Sequence, residues 1–265
     1  MASGPYYKVK VLALYIILYL KGNFGYIPSF KKEKHVSILV GNDSLPFFLK
    51  DKLDFDVLLD SVYDDQYSLI DIEGNVNKNN IKVVFDLGAN IGTATLKFYQ
   101  KFPNATIYCF EPDPYNFERL SKNISLLDKK DRIKLYNYAV SDSDNGKVSF
   151  YRAKSNHWSS SLKKRDCTEE EVLVETITLD TFCINNTINK IDVVKMDIEG
   201  AESEAMKGFV NSVFHTDYII GELHPKLMKD TTLEFLARFN SFDLEYLNTS
   251  SGIFKFRNSK INQYL

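Results

Sequence analysis

Ile81 to Gly92, IKVVFDLGANIG, is a place where an apolar run ends directly in a glycine turn and passes into helical periodicity. Val83, Val84 and Phe85 suit a buried parallel strand, Asp86 closes it, and Gly88 and Gly92 bracket a turn before a helix over Thr93 to Tyr99. Strand, glycine turn and helix make a nucleotide-binding shape, because glycine lets backbone approach a ligand and a helix start offers unpaired N–H groups. Dinucleotide sites use G-x-G-x-x-G. Here Gly88 and Gly92 lie four apart, Asn90 stands between them, and Asp86 precedes the first glycine. A carboxylate at that place suits a cationic ligand better than a pyrophosphate. S-adenosylmethionine, with a sulfonium, an ammonium and no phosphate, has that sign. A glycine pair that only eases helix-on-strand packing is the plainer reading of the turn alone.

Downstream, strand-like and helical stretches alternate. Ala105 to Phe110 reads as a second buried strand ending in Glu111-Pro112-Asp113-Pro114, before a helix over Tyr115 to Asn123. Arg132 to Val140, Val148 to Arg152 and Val172 to Thr178 follow as strands. Ile191 to Met196 is the next buried strand, closed by Asp197-Ile198-Glu199-Gly200-Ala201-Glu202. A helix over Ala201 to Gly208 leads to a strand over Tyr218 to Leu223 and then His224-Pro225. A helix over Thr231 to Phe239 and a strand pair, Leu244 to Leu247 and Ile253 to Phe256, complete the pattern. This order predicts an α/β fold with a doubly wound, mostly parallel sheet and an antiparallel C-terminal strand. Ligands bind such sheets at the carboxyl ends of the strands, where this chain keeps its acids. Glu111, after the second strand, stands where a ribose gives its hydroxyls to a carboxylate. Lys195, Asp197 and Glu199 would share one side of the strand if it continued extended, and Glu222 and His224 are likewise two apart.

Ahead of the glycine turn, Val36 to Val40 and Phe47 to Leu49 flank Gly41-Asn42-Asp43 in the manner of a β-hairpin, and Leu53 to Leu69 reads as helical. Val11 to Leu20 is apolar between lysines and falls short of the roughly 20 residues that span a bilayer. It suits a helix packed on the domain or in a homodimer contact, or one lying at a surface, which would give peripheral membrane contact through residues 9–20. His157, Trp158 and Ser160 fall in a polar stretch without period. A loop tryptophan beside a histidine suits the face of a sugar or another flat ligand, or else caps the core. The net charge of −2 and pI near 6.1 give no basic field, so nucleic acid is not the expected partner. Three cysteines without C-x-x-C spacing argue against a disulfide framework and a zinc site, and point to a cytoplasmic setting.

Taken in order, Asp86-Leu87-Gly88-Ala89-Asn90-Ile91-Gly92, Phe110-Glu111-Pro112-Asp113-Pro114, Asn137-Tyr138-Ala139-Val140-Ser141-Asp142, Ser159-Ser160-Ser161-Leu162, Thr178-Leu179-Asp180 and Lys195-Met196-Asp197-Ile198-Glu199-Gly200-Ala201-Glu202 resemble the motif set of the FkbM family. These are S-adenosylmethionine-dependent methyltransferases with a Rossmann-like class I fold, many of which methylate hydroxyls of sugars, glycans or related natural products. The resemblance covers roughly residues 60–250, judged by motif order. It divides the chain into an N-terminal extension, 1–55, with an apolar helix and a hairpin, and a methyltransferase domain, 56–265. It implies that Asp86, Gly88 and Asn90 surround the methionine moiety and that Glu111, with the Pro112 turn beside it, holds the ribose. It further implies that Ala139, Val140 and Asp142 border the adenine and that Tyr67 belongs to a cofactor lid. Lys195, Asp197, Glu199, Glu222 and His224 would then face the methyl group.

A sugar hydroxyl is a poor nucleophile until its proton leaves, and a carboxylate or imidazole can take it. His224 is the expected base, since an ordinary imidazole titrates near pH ~6.5. Asp197 and Glu199 would orient the acceptor or the histidine, and Lys195 would hold Asp197 ionised. Asp197, Glu222 and His224 are also hard donors that could hold Mg²⁺ or Mn²⁺, but they lack a recognised metal-loop spacing, so no metal is assigned. Asp86 and Glu111, at strand ends, are expected to act on the ligand rather than in the core. An NAD(P)-dependent oxidoreductase of similar fold and a non-catalytic binding protein are the rival classes.

Overall fold

The computed structural model of the chain describes residues 29–40, 43–51, 54, 56–58, 61, 77–152 and 170–259. Tyr67, His157, Trp158, Ser160, the apolar run 9–20 and most of the expected helix over 53–69 lie outside the described residues. A hairpin of β1 (Ser29–Val40) and β2 (Asp43–Asp51) comes first, longer on both arms than the sequence alternation suggests. Phe47 and Leu49 of β2 are buried in the same cluster as Val84, Ile107 and Leu120.

At the centre of the main sheet, runs of apolar residues are covered on both faces, while the outer strands are partly exposed. The sheet holds β3 (Val83–Leu87), β4 (Thr106–Phe110), β5 (Ile133–Tyr136), β9 (Ile191–Met196), β10 (Thr216–Glu222), β11 (Phe242–Leu247) and β12 (Ile253–Asn258). The strand order is β11-β12-β10-β9-β3-β4-β5. Strands β5, β4, β3, β9 and β10 run parallel, while β12 is antiparallel to both β10 and β11, as the sequence implied. The winding direction reverses between β3 and β9, which opens a crevice at their carboxyl ends. Between β5 and β9 the chain forms β6 (Ala139–Val140), β7 (Lys147–Arg152) and β8 (Glu170–Ile177), a separate three-stranded sheet.

Helices α1 (Thr93–Lys101) and α2 (Pro114–Ser125) bury Leu96, Phe98, Leu120 and Ile124 against one face. Helices α3 (Leu179–Asn185), α4 (Glu202–Lys207) and α5 (Thr232–Leu236) bury Phe182, Ala205 and Phe235 in a second cluster. Neighbouring residues of β3 serve the two sides, Val84 in the first cluster and Phe85 in the second. The helix starts are written into the chain. Asp113 accepts from the Tyr115 N–H at 3.0 Å with Pro114 at the first helical position, and Thr231 and Glu234 form a reciprocal cap on α5.

The expected strand over Arg132 to Val140 is divided. The Asn137 side chain, between β5 and β6, donates to the carbonyls of Glu111 at 2.7 Å and Pro112 at 2.9 Å. These bonds hold the chain beside the end of β4, and β6 then pairs with β8 instead. No helix among the described residues is long and apolar enough to cross a membrane. Cys109 and Cys183 are free and buried.

Candidate active site

Gly88, at φ 76°, ends β3 in the left-handed region, and a Cβ there would lie 2.0 Å from the Asp197 carbonyl oxygen. Only glycine lets this turn close against the end of β9. The Gly88 and Ala89 N–H groups donate to the Phe110 carbonyl at 2.9 and 3.0 Å, which fixes the turn to β4. Asp86 is fully buried and accepts from the Thr95 hydroxyl at 2.6 Å. Strand register sets Asp86 directly beside Lys195, and their charged atoms are 3.3 Å apart. Asp86 therefore has a core role as a counter-charge in addition to its place at the ligand end.

Lys195 is buried as well, donating to the carbonyls of Leu87 at 3.2 Å and Gly88 at 2.8 Å. Its ammonium is 3.7 Å from Asp197 Oδ2. Burial pulls its pKa down, but the charge of Asp86 and then that of Asp197 outweigh it and hold the pKa above the ordinary lysine value. Lys195 thus ties the Gly88 turn to Asp197 at the end of β9.

Glu111 is buried, with Oε2 accepting from the Asn90 N–H at 2.8 Å and Oε1 from the Asp113 N–H at 2.9 Å. Burial, helped by the charge of Asp113, pushes its carboxyl up to about 8. Asn90 has φ 50°, and its Oδ1 is buried without a hydrogen-bond partner. Gly88, Phe110, Pro112, Tyr138, Ala139, Val140, Phe150, Ile198 and Ala201 line a narrow slot beside these groups. Asp142 is exposed at the turn after β6 and lies outside that lining. The donor set fits S-adenosylmethionine: an acid for ribose hydroxyls, an unused amide oxygen for an ammonium, and mostly apolar walls beside them.

Beyond the ends of β9 and β10, Asp197 and Glu199 do converge with Glu222 and His224, although the strand does not continue extended. β9 stops at Met196, and Glu199 and Gly200 turn the chain at φ 53° and 99°. His224 Nε2 lies 3.6 Å from Glu199 Oε2, 3.9 Å from Asp197 Oδ1 and 3.9 Å from Glu222 Oε1. Its other ring nitrogen, Nδ1, is 2.7 Å from Oε1 of Glu202, a residue to which the sequence reading gave no role. Glu202 is hard to single out in the sequence because its partner is 22 residues away on the next strand end.

Burial alone would lower the His224 pKa. The Glu202 hydrogen bond, followed by the charges of Asp197 and Glu199, instead raises it to about 9, well above the ordinary imidazole value expected of it. Glu222 is pushed up to about 7 by burial first and then by Asp197. Asp197, Glu199 and His224 each offer an atom within 4.8 Å of the others, a spacing wide enough for a divalent ion. Lys195 and the imidazole already place positive charge among these oxygens.

The family model described as Methyltransferase FkbM domain matches residues 86–243. The 2-O-methyltransferase NoeI of Sinorhizobium fredii (strain NBRC 101917 / NGR234) is 30% identical over 68% of this chain and 80% of its own length. Hexuronic acid methyltransferase AglP of Haloferax volcanii is 31% identical over 54% of this chain and 56% of its own length. Among solved structures, a chain of the fibrillarin/Nop5p complex is similar at 11% identity and a TM-score of 0.45, over 73% of this chain and 80% of that one. The matched span opens on the buried aspartate of β3 and runs into β11, so the chain belongs to the FkbM methyltransferase family and is an S-adenosylmethionine-dependent methyltransferase.

Proposed function

We propose that this methyltransferase acts on a hydroxyl of a sugar, glycan or related natural product. The observation that carries the reading is the convergence of Asp197, Glu199, Glu222 and His224 beside the Gly88 turn, where a hydroxyl would meet the methyl group. The names of NoeI and AglP, a 2-O-methyltransferase and a hexuronic acid methyltransferase, support an oxygen acceptor on a sugar. S-adenosylmethionine, when bound, supplies an electrophilic methyl group for in-line displacement, so alignment carries much of the rate.

His224 Nε2 takes the hydroxyl proton as the acceptor oxygen gains the methyl. With the ring held at about 9, this site must first shed a proton, and it is then a stronger base than an ordinary imidazole. Asp197 and Glu199 orient the acceptor. Lys195 positions Asp197 and the turn carbonyls rather than touching the acceptor. The reading assigns no divalent ion: the Lys195 ammonium supplies positive charge beside Asp197, and the neutral His224 ring takes the proton. His157, Trp158 and Ser160 remain acceptor-binding candidates in this reading on chemistry alone, since a tryptophan face suits a sugar ring.

Assay against a panel of simple sugars and glycans tests this. His224→Ala should lower turnover by about 10²- to 10⁴-fold with cofactor affinity nearly unchanged. In the parent, the rate should climb with pH through about 9, and a chelator should leave it unaltered. Full activity of the variant at every pH would transfer the base role to Asp197 or Glu199.

A further inference from the structure

Glu202 is 0% exposed at the start of α4, and its position is enforced from both sides. The turn before it is locked, since a Cβ on Gly200 would come within 2.3 Å of Leu227 Cβ in the loop that follows His224. The His224 carbonyl in turn accepts from the N–H groups of Leu227 at 2.8 Å and Met228 at 3.0 Å. The two loops therefore hold Glu202 and His224 in fixed register. Inside this frame Glu202 Oε1 takes the Gly200 N–H at 3.2 Å and meets His224 Nδ1 at 2.7 Å, while Oε2 has no hydrogen-bond partner. A buried carboxylate is costly unless it is paired, and the imidazole is the cationic partner at hand.

Resting on the methyl-transfer reading above, we propose that Glu202 is a positioning residue: by keeping a proton on Nδ1 of His224, it fixes the tautomer whose Nε2 lone pair faces the acceptor. An ionised Glu202 can only accept at this contact, so Nδ1 must be the donor. Loss of the second ring proton then empties Nε2 and no other atom. Nε2 takes the hydroxyl proton, the oxygen–methyl bond forms as the sulfur–methyl bond breaks, and Nδ1–H stays in place throughout. The other groups facing the ring are Asp197 and Glu199 from the turn after β9 and Glu222 from the end of β10, with Lys195 beside Asp197. These three carboxylates surround Nε2, so none of them can select the Nδ1–H tautomer. That selection falls to Glu202.

The test is imidazole ¹⁵N–¹H spectroscopy of the full chain, with the His224 signals assigned against His224→Gln from among four histidines. The parent should show a proton on Nδ1 on both sides of its titration. Glu202→Gln should lose that tautomer preference and move the His224 titration down toward the ordinary value of ~6.5. Its turnover should fall by up to about 10⁴-fold, the cost of a wrong tautomer, with the S-adenosylmethionine dissociation constant unchanged. Glu202→Asp, with the carboxylate drawn back, should fall between the two. A parent ring that carries its neutral-state proton on Nε2 overturns the proposal without any variant, and so does a Glu202→Gln protein whose His224 tautomer and titration match the parent. Because the spectra need no acceptor, failure of every sugar in the panel would count against the acceptor reading alone.

Discussion

Glu111 shows how one side chain can make ligand affinity depend on pH. Its carboxyl is pushed up to about 8 by burial, so in the ligand-free protein it is largely protonated below that pH. Ribose hydroxyls donate best to the ionised form. Cofactor affinity should therefore weaken as pH falls below about 8, by at most about tenfold per unit, and should level off above it. Calorimetric titration with S-adenosylhomocysteine at several pH values checks this, and Glu111→Gln should bind weakly with a flat profile. A flat parent profile would sink the idea. The acids at the strand ends were legible from their sequence positions. Their couplings were not: Asp86 meets Lys195 through strand register, and Glu202 meets His224 across two loops, contacts that no local spacing encodes.

At the scale of elements, the legible parts were those carried by local chemistry: the apolar strands and the helices that follow Gly92 and Pro114. The division of β5 from β6 was hidden, because it depends on where the Asn137 amide finds carbonyls to bind. Close approach between strands is equally silent in the sequence. Gly221 of β10 lies opposite Met196 of β9, and a Cβ there would sit 1.8 Å from the Met196 carbonyl oxygen. Gly221→Ala should cost about 1–3 kcal/mol or more through overpacking, read as a lower denaturation midpoint at an unchanged m-value. It should also weaken turnover, since the same two strand ends carry Asp197 and His224. Parental stability in this variant would show that the strands can part without loss.

Across the whole molecule, the described residues that precede β3 are tied to the domain by charge as well as by apolar packing. Arg119 of α2 forms a buried ion pair with Asp54, whose Oδ2 also accepts from the Lys50 N–H. Arg119→Met should leave Asp54 buried without its guanidinium and cost about 3–5 kcal/mol in chemical unfolding. A loss below ~1 kcal/mol would place this pair with the weak surface bridges. The described anchor begins in the hairpin, so deleting residues 1–21 should leave cofactor affinity at the parent value by calorimetry. Flotation of the full chain with anionic liposomes separates the surface-helix reading of 9–20 from a packing or dimer role: a chain that stays at the bottom of the gradient leaves only the latter.

The reversal of winding at β3 also has a consequence in time. The central pair of the sheet joins strands far apart in the chain, Lys195 coming 108 positions after Leu87. At translation rates of about 5–20 residues per second, β3 leaves the ribosome roughly 5–20 s before the strand that covers its open side. For that interval a strand that lies inside the finished sheet is an edge, and Asp86 has no lysine beside it. The glycine turn cannot be held by Lys195 until β9 arrives, so a nascent chain carries the turn well before the charge that pins it.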